Sequence, residues 1–246
     1  MSLPQTYTPP ADLLRGRRIL ITGAGDGLGR AAALACARHG ATVILLGRTV
    51  KKLEGVYDAI EQAGGPAPAI YPLNLAGASW KDYAELAVTL EREFGGLDGL
   101  LHAAAHFKSF APLADVEAKE WLESLQVNLT APFALTRHCL PLLAAAPDAS
   151  VVFMADKPGR AAQPFGSVYG IAKAGIEHLV ATWAQELENH PNLRLNSYYP
   201  GPLRTALRNL GYPGETMGQS PPAESVMPQV LWLLGPDSRG QSGQAF

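Results

Sequence analysis

The chain has 246 residues, 47% of them hydrophobic and 17% charged, with 20 basic side chains against 22 acidic. So apolar a chain, below the ~25% charge of average soluble domains, is not intrinsically disordered, and its near-neutral balance leaves no footprint for nucleic acid or a membrane surface. No apolar run reaches the ~20 residues of a bilayer span, the opening MSLPQTYTPP lacks the regions of a secretory signal, and Cys36 and Cys139 alone cannot staple a scaffold, so a cytoplasmic globular protein is expected.

Short apolar runs alternate with longer helical patterns. Arg17–Thr22 (RRILIT) reads as a buried strand and Leu28–His39 as an alanine-rich helix. Thr42–Leu46 is a second strand, followed by a helix over Val50–Gln62; Ala69–Pro72 is a weaker third strand, followed by a helix over Trp80–Phe94. Leu97–Ala103 is a fourth strand, and Lys119–Ala145 carries a long helical pattern interrupted at Pro132 and Pro141. Ser150–Met154 is a fifth strand, Ser167–Asn189 a helix and Leu193–Tyr198 a sixth strand. Continuous apolar strands separated by helices predict an α/β fold, a doubly wound parallel sheet of Rossmann type in three layers, with ligands beyond the carboxyl ends of the strands. A single domain over residues 1–246 is expected. The proline-rich stretch Pro200–Pro228 lacks periodicity and reads as a substrate lid, with Leu207, Leu210, Tyr212 and Met217 as apolar lining, and the closing SGQAF as a last edge strand.

The segment Thr22-Gly23-Ala24-Gly25-Asp26-Gly27-Leu28-Gly29 runs from the first strand straight into a helix. Its glycines allow a tight turn and close approach of backbone to a pyrophosphate, and the helix N-terminus aims amides at the anion. Later stand Asn128 in Val127-Asn128-Leu129, Tyr169-Gly170-Ile171-Ala172-Lys173 and Pro200-Gly201-Pro202-Leu203-Arg204-Thr205. In this order and at these intervals the motifs resemble those of the short-chain dehydrogenase/reductase family over nearly the whole chain. The stretches LLGR and WLLGPDSRGQSG are most similar to the bacterial YciK-like oxidoreductases.

That resemblance implies an oxidoreductase acting on a carbonyl/alcohol pair, with a nicotinamide cofactor held by Gly23, Asp26, Gly27, Leu28, Arg48, Asn74, Leu75, Ala104, Tyr169, Lys173, Pro200, Gly201, Leu203 and Thr205. It implies Tyr169 as acid/base, Lys173 as the cation that favours its phenolate, and Asn128 as the holder of a relay water. Subunits of the family pair through the helices carrying Asn128 and Tyr169, so a homodimer or homotetramer is implied. At the end of the second strand Leu46-Gly47-Arg48-Thr49 offers no carboxylate for a ribose hydroxyl, whereas Arg48 offers a planar fork for a 2′-phosphate, which favours NADP(H) over NAD. Asn74 could accept from an adenine amine.

Two positions depart from the family pattern. The serine expected thirteen residues before the tyrosine is Asp156. An ionised carboxylate cannot donate to a developing oxyanion, and losing one such donor costs about 2.7–4 kcal/mol. Three readings stand open: a protonated Asp156 that donates, an ionised one that recognises a cationic or hydroxyl-bearing substrate, or one turned outward to Lys157 or Arg160. The last leaves a cofactor-binding protein with little turnover, a sensor or assembly partner. The second departure is His102-Ala103-Ala104-Ala105 after the fourth strand, where the family has NNAG. His102 is expected to satisfy a local backbone group, His106 to be an exposed loop residue with a weak claim on the cleft, and Trp121 and Trp183 to be packing or subunit contacts. Both cysteines are expected to be buried and inert, and no metal site is expected.

Overall fold

The computed structural model describes residues 3–4, 6–216 and 218–246. Six parallel strands form one sheet in the order β3-β2-β1-β4-β5-β6: β1 (Arg18–Thr22), β2 (Thr42–Gly47), β3 (Ala69–Pro72), β4 (Gly99–His102), β5 (Ala149–Met154) and β6 (Leu193–Tyr198). The order reverses at β1, which pairs with β2 on one side and β4 on the other. Strand side chains alternate between two cores. Ile19, Ile21, Val43, Leu45, Leu101 and Val152 pack under α1 (Gly27–Arg38), α2 (Val50–Gln62) and α9 (Met227–Leu234). Leu20, Ile44, Leu46, Leu100, Val151 and Phe153 pack on the other face under α3 (Trp80–Phe94), α5 (Ala131–Ala145) and α7 (Ser167–Glu186). A sheet covered on both sides needs strands that are apolar throughout, which is why the runs read as continuous rather than alternating.

The helix starts follow local chemistry. Asp26 caps α1 by accepting from the Gly27 amide at 2.8 Å, and Ser79 with Asp82 forms a reciprocal capping box at α3. The stretch expected to break at two prolines is nearly unbroken. It consists of α4 (Ala118–Leu125), one π-helical turn (Gln126–Thr130) and α5, with Pro132 directly after the π turn. Only Pro141 lies within a helix interior.

Two expectations about the C-terminal part need correction. The stretch Pro200–Pro228 is not without helices: α8 (Ala206–Gly211) follows the Thr205 cap, and α9 begins at Met227. The helix α9 has apolar residues all round and so no amphipathic signature to read. The tail makes an isolated bridge, Ala245 to Ser197, rather than a strand, although the Gly243 and Phe246 amides do bond to β6. Buried Asp148 ties α9 to the sheet. It accepts from Arg194 at 2.5 Å and from Arg17 at 2.6 Å, while Arg194 donates onward to the Gly235 carbonyl and the Ser238 hydroxyl. Among the described residues no helix is long and apolar enough to cross a membrane.

Candidate active site

A cleft of about 470 Å³ opens over the carboxyl ends of the strands. The glycine turn forms its floor. A Cβ at Gly29 would sit 2.3 Å from the Gly23 carbonyl oxygen, and one at Gly23 would lie 2.9 Å from the Ala104 backbone at a φ of +67°. Side chains are thus excluded where β1, its turn and the end of β4 converge. Thr22 closes the same junction: its hydroxyl accepts from the Ala103 and Ala104 amides at 3.1 and 3.0 Å. The alanines that replace the expected NNAG are therefore held through their backbone.

Every residue expected to hold a nicotinamide cofactor lies on the wall of this cleft, from Gly23 and Arg48 to Pro200, Leu203 and Thr205. The chemistry of the donor set fits a dinucleotide: a side-chain-free glycine floor, first-turn amides of α1 without intrahelical partners, and cations at one end. Arg48 is exposed at that end. Lys52, in the first turn of α2, lines the same wall and pairs with Asp26 at 2.5 Å, which together with the Gly27 amide holds the Asp26 carboxyl below the usual range. Sequence reasoning missed Lys52, which its place in the first turn of the helix after the second strand does not by itself mark as a cofactor contact. Asn74 is exposed on the same wall, and its carbonyl accepts from its own Ala76 amide at 3.3 Å, which leaves a second lone pair.

At the other end Tyr169 and Lys173 project from α7, both buried. The Tyr169 hydroxyl donates to Asp156 Oδ2 at 2.9 Å, and Asp156 Oδ1 accepts from the Lys157 amide at 2.7 Å, capping the short helix α6 (Lys157–Arg160). Asp156 thus turns into the cleft, not outward to the Lys157 or Arg160 side chains; Arg160 pairs with Glu177. Lys173 Nζ donates to the Met154 carbonyl at 2.7 Å and stands 5.7 Å from the Tyr169 ring centroid. Burial and the Asp156 charge push the phenol well above its ordinary pKa, and burial pulls Lys173 down to about 8 although Asp156 and Glu177 oppose it. The expected phenolate, stabilised by an ammonium, is not what this arrangement favours. Tyr169 is held protonated.

Asn128 lies off the cleft wall. On the π turn it accepts from the His106 amide at 3.0 Å and donates to the His106 carbonyl at 2.7 Å and to the Ser124 hydroxyl. Its side chain is thereby committed to fixing the loop after β4. His106 is half-buried on the cleft wall and pairs with Glu120 at 3.0 Å, and with Glu123 it brings three ligand-type atoms within 4.8 Å of one another, a grouping that linear spacing hides. The Glu120 contact and an exposed Lys119–Glu123 pair account for its charges.

His102 is buried, stacked on Phe153 at 4.6 Å, and its Nε2 meets the Thr136 hydroxyl at 2.8 Å rather than a backbone group. Burial pulls its pKa down to about 3, so the ring is neutral. Both cysteines are buried, and burial pushes their thiols up to about 12. Trp183 packs on Phe133 at 5.4 Å, whereas Trp121 is partly exposed. Leu207 and Leu210 line the cleft, and Tyr212 lines an adjoining recess of about 60 Å³. Met217 falls outside the described residues.

Residues 17–213 match the family model for short chain dehydrogenases. The oxidoreductase YciK of Escherichia coli K12 is 37% identical over 240 residues, covering 98% of this chain and 94% of that protein. A short chain dehydrogenase from Pseudomonas syringae superposes with a TM-score of 0.95 at 45% identity, covering 98% of this chain and 97% of that one. A third relative, a short chain dehydrogenase from Escherichia coli CFT073 complexed with NADPH, superposes with a TM-score of 0.93 at 37% identity, covering 97% and 98%.

Proposed function

Because the chain belongs to the short-chain dehydrogenase/reductase family and is an oxidoreductase of that kind, we propose that it binds NADP(H) in the cleft and interconverts an oxidised organic substrate with its reduced form beside Tyr169. The observation that carries this reading is the shared wall: the glycine turn with Arg48 and Lys52, and the Asp156–Tyr169–Lys173 group, line one continuous cleft.

The cofactor, when bound, supplies or accepts a hydride at the substrate carbon. The remaining work falls to side chains. Arg48 and Lys52 offer a guanidinium fork and an ammonium to a 2′-phosphate, for which no carboxylate competes at the end of β2. Gly23, Gly27 and Leu28 present backbone to the pyrophosphate. Tyr169 carries its hydroxyl on the cleft wall, donating to Asp156, where a bound substrate would meet both groups. Lys173 steadies the end of β5 through the Met154 carbonyl, on the wall of the cleft where a nicotinamide ribose would lie. Asn128 acts as a positioning residue for the His106 loop. Residues 200–228 serve as the substrate lid, and exposed Trp121, Leu122 and Ile171 on α4 and α7 support pairing of subunits through those helices. The complex of the Escherichia coli relative with NADPH supports the choice of cofactor.

Thermal-shift titration tests the cofactor. NADPH should stabilise the protein more than NADH at equal concentration, and equal or stronger stabilisation by NADH would overturn the choice. A second reading, a protein that binds cofactor with little turnover, is favoured by one observation: the Tyr169 proton is committed to Asp156. NADPH binding without oxidation over a panel of both carbonyl and imine compounds would decide for it.

A further inference from the structure

We propose that the substrate of this site is an organic cation bearing a C=N bond, an iminium or protonated imine reduced to an amine. The proposal rests on the oxidoreductase reading above and specifies its substrate class. It starts from Asp156. A carboxylate beside the reacting atom is acceptor-only. It would set lone pairs against the oxygen of a carbonyl substrate and oppose the negative charge growing there. An iminium reverses both terms. Its N–H donates to the carboxylate, and its positive charge is attracted; the same attraction keeps an imine in its protonated, more electrophilic form.

Among the described residues the Asp156 oxygens accept only from neutral donors, the Tyr169 hydroxyl and the Lys157 amide, which leaves the carboxylate without an ion-pair partner. Arg160 is engaged by Glu177 at 2.7 Å and Arg208 by Glu215. Beside it stands an aromatic wall. Phe107 meets the Tyr169 ring at 5.3 Å and Phe110 at 5.0 Å, and these rings line the small recess that Asp156 shares. Aromatic faces next to a carboxylate are a setting for a planar organic cation. The phenol also fits. As a hydride from the reduced nicotinamide bonds to carbon, the C=N π pair becomes the lone pair of the amine nitrogen, and the nicotinamide leaves oxidised. A protonated imine needs no further proton, so the hydrogen bond from Tyr169 to Asp156 can persist through the step.

The test uses the full chain with NADPH and two bicyclic probes of similar size, 3,4-dihydroisoquinoline in its protonated N–H form and tetralone. The iminium should be reduced with a kcat/KM about tenfold or more above that of the ketone, and Asp156→Asn should lower the iminium value about tenfold or more, the size expected for losing a charge-assisted contact, while raising the ketone value because the repelling charge is gone. A readout without turnover accompanies it: calorimetric binding of N,N-dimethyl tetrahydroisoquinolinium, a cation that cannot be reduced, to the NADP⁺ complex. Binding that is weakened about tenfold in Asp156→Asn and kept in Asp156→Glu supports the proposal even where the reducible probe turns over slowly. The NADPH thermal shift of Asp156→Asn reports that the variant keeps its fold and cofactor site. Ketone reduction equal to or faster than iminium reduction, or no binding of the saturated cation, overturns the proposal. The first result leaves the oxidoreductase reading standing, whereas NADPH binding with no oxidation by any carbonyl or imine would remove that reading too.

Discussion

The hydroxyl of Tyr169 and Oδ2 of Asp156 lie 2.9 Å apart, with the phenol donating. This contact joins the end of β5 to the first turn of α7 and directs the acidity of the site. A negative neighbour disfavours phenolate, so removing it must lower the phenol pKa. Asp156→Asn should shift the tyrosinate absorbance attributable to Tyr169, isolated by subtracting a Tyr169→Phe control, to lower pH. Burial, the larger cause, remains and keeps it above the ordinary value. An unmoved titration would mean that the carboxylate is not a neighbour of the phenol in solution.

Gly159 holds α6 against α7. A Cβ there would lie 2.6 Å from the Lys173 Cβ and carbonyl carbon, both parts of a packed helix that cannot yield as a flexible side-chain tip could. Gly159→Ala should push α6 outward and carry Asp156 away from Tyr169, lowering activity at least as much as Asp156→Asn. The protein should also lose about 1–3 kcal/mol of stability, the usual cost of overpacking. Denaturant unfolding checks the second part, and unchanged stability would show that the helices are not in contact.

Lys173 has a stability signature of its own. Its folded pKa of about 8 lies below the ~10.4 of an unfolded lysine, so between these values the unfolded chain binds the extra proton. Unfolding free energy therefore rises with pH across that window, by at most about 1.4 kcal/mol per pH unit, and below pH 8 the cost of burying the ammonium is present in full. Measured against Lys173→Met, which cancels other titrating groups, the parent should gain stability from pH 8 to 10. A flat difference would mean that Lys173 stays charged when folded.

Asp148 gives the same sign of pH dependence for the opposite reason, because its charged form is the one the fold favours. Burial alone would raise its carboxyl, but Arg194 and Arg17 hold it below the usual range. Its contribution is present above the unfolded pKa near ~3.9 and is lost as pH falls through the lower folded value. Asp148→Asn leaves the buried Arg194 and the half-buried Arg17 guanidinium groups underpaired and should cost about 3–5 kcal/mol at neutral pH. Urea denaturation at neutral and acid pH would show this cost shrinking in acid; a constant difference would count against the ion pairs.

At the far end of the cleft, Arg48→Ala and Lys52→Ala should each weaken NADPH binding by about tenfold, as loss of one charge-assisted phosphate contact predicts, and leave NADH binding nearly unchanged. Fluorescence titration of both nucleotides checks this. If the two nucleotides lose affinity equally, the cations bind the pyrophosphate or nothing.

How much of this was legible in the chain depends on how local each cause is. The helices over Val50–Gln62 and Trp80–Phe94 and the strands over Ala69–Pro72 and Leu193–Tyr198 occur at the boundaries read from periodicity, because their apolar pattern lies within the segments themselves. Helix α9 was missed because burial on all sides erases periodicity, and the π turn because nothing local marks it. Around the cleft, Tyr169 and Lys173 share one helix face by spacing alone. The direction of Asp156, the engagement of Asn74 by its own turn and the pairing of Lys52 with Asp26 depend on side-chain rotamers set by neighbours.

The order of residues alone determined the alternation of strand and helix, the glycine turn and the placing of Tyr169 one helical turn before Lys173, since hydrophobic period and backbone sterics act over a few residues. Only the tertiary structure decided that Asp156 faces the phenol, that Lys173 is spent on the Met154 carbonyl and that the phenol keeps its proton. Those outcomes depend on burial and on charges many positions away in the chain, and electrostatic free energy is governed by distance in space and by the water excluded, neither of which spacing along a sequence encodes.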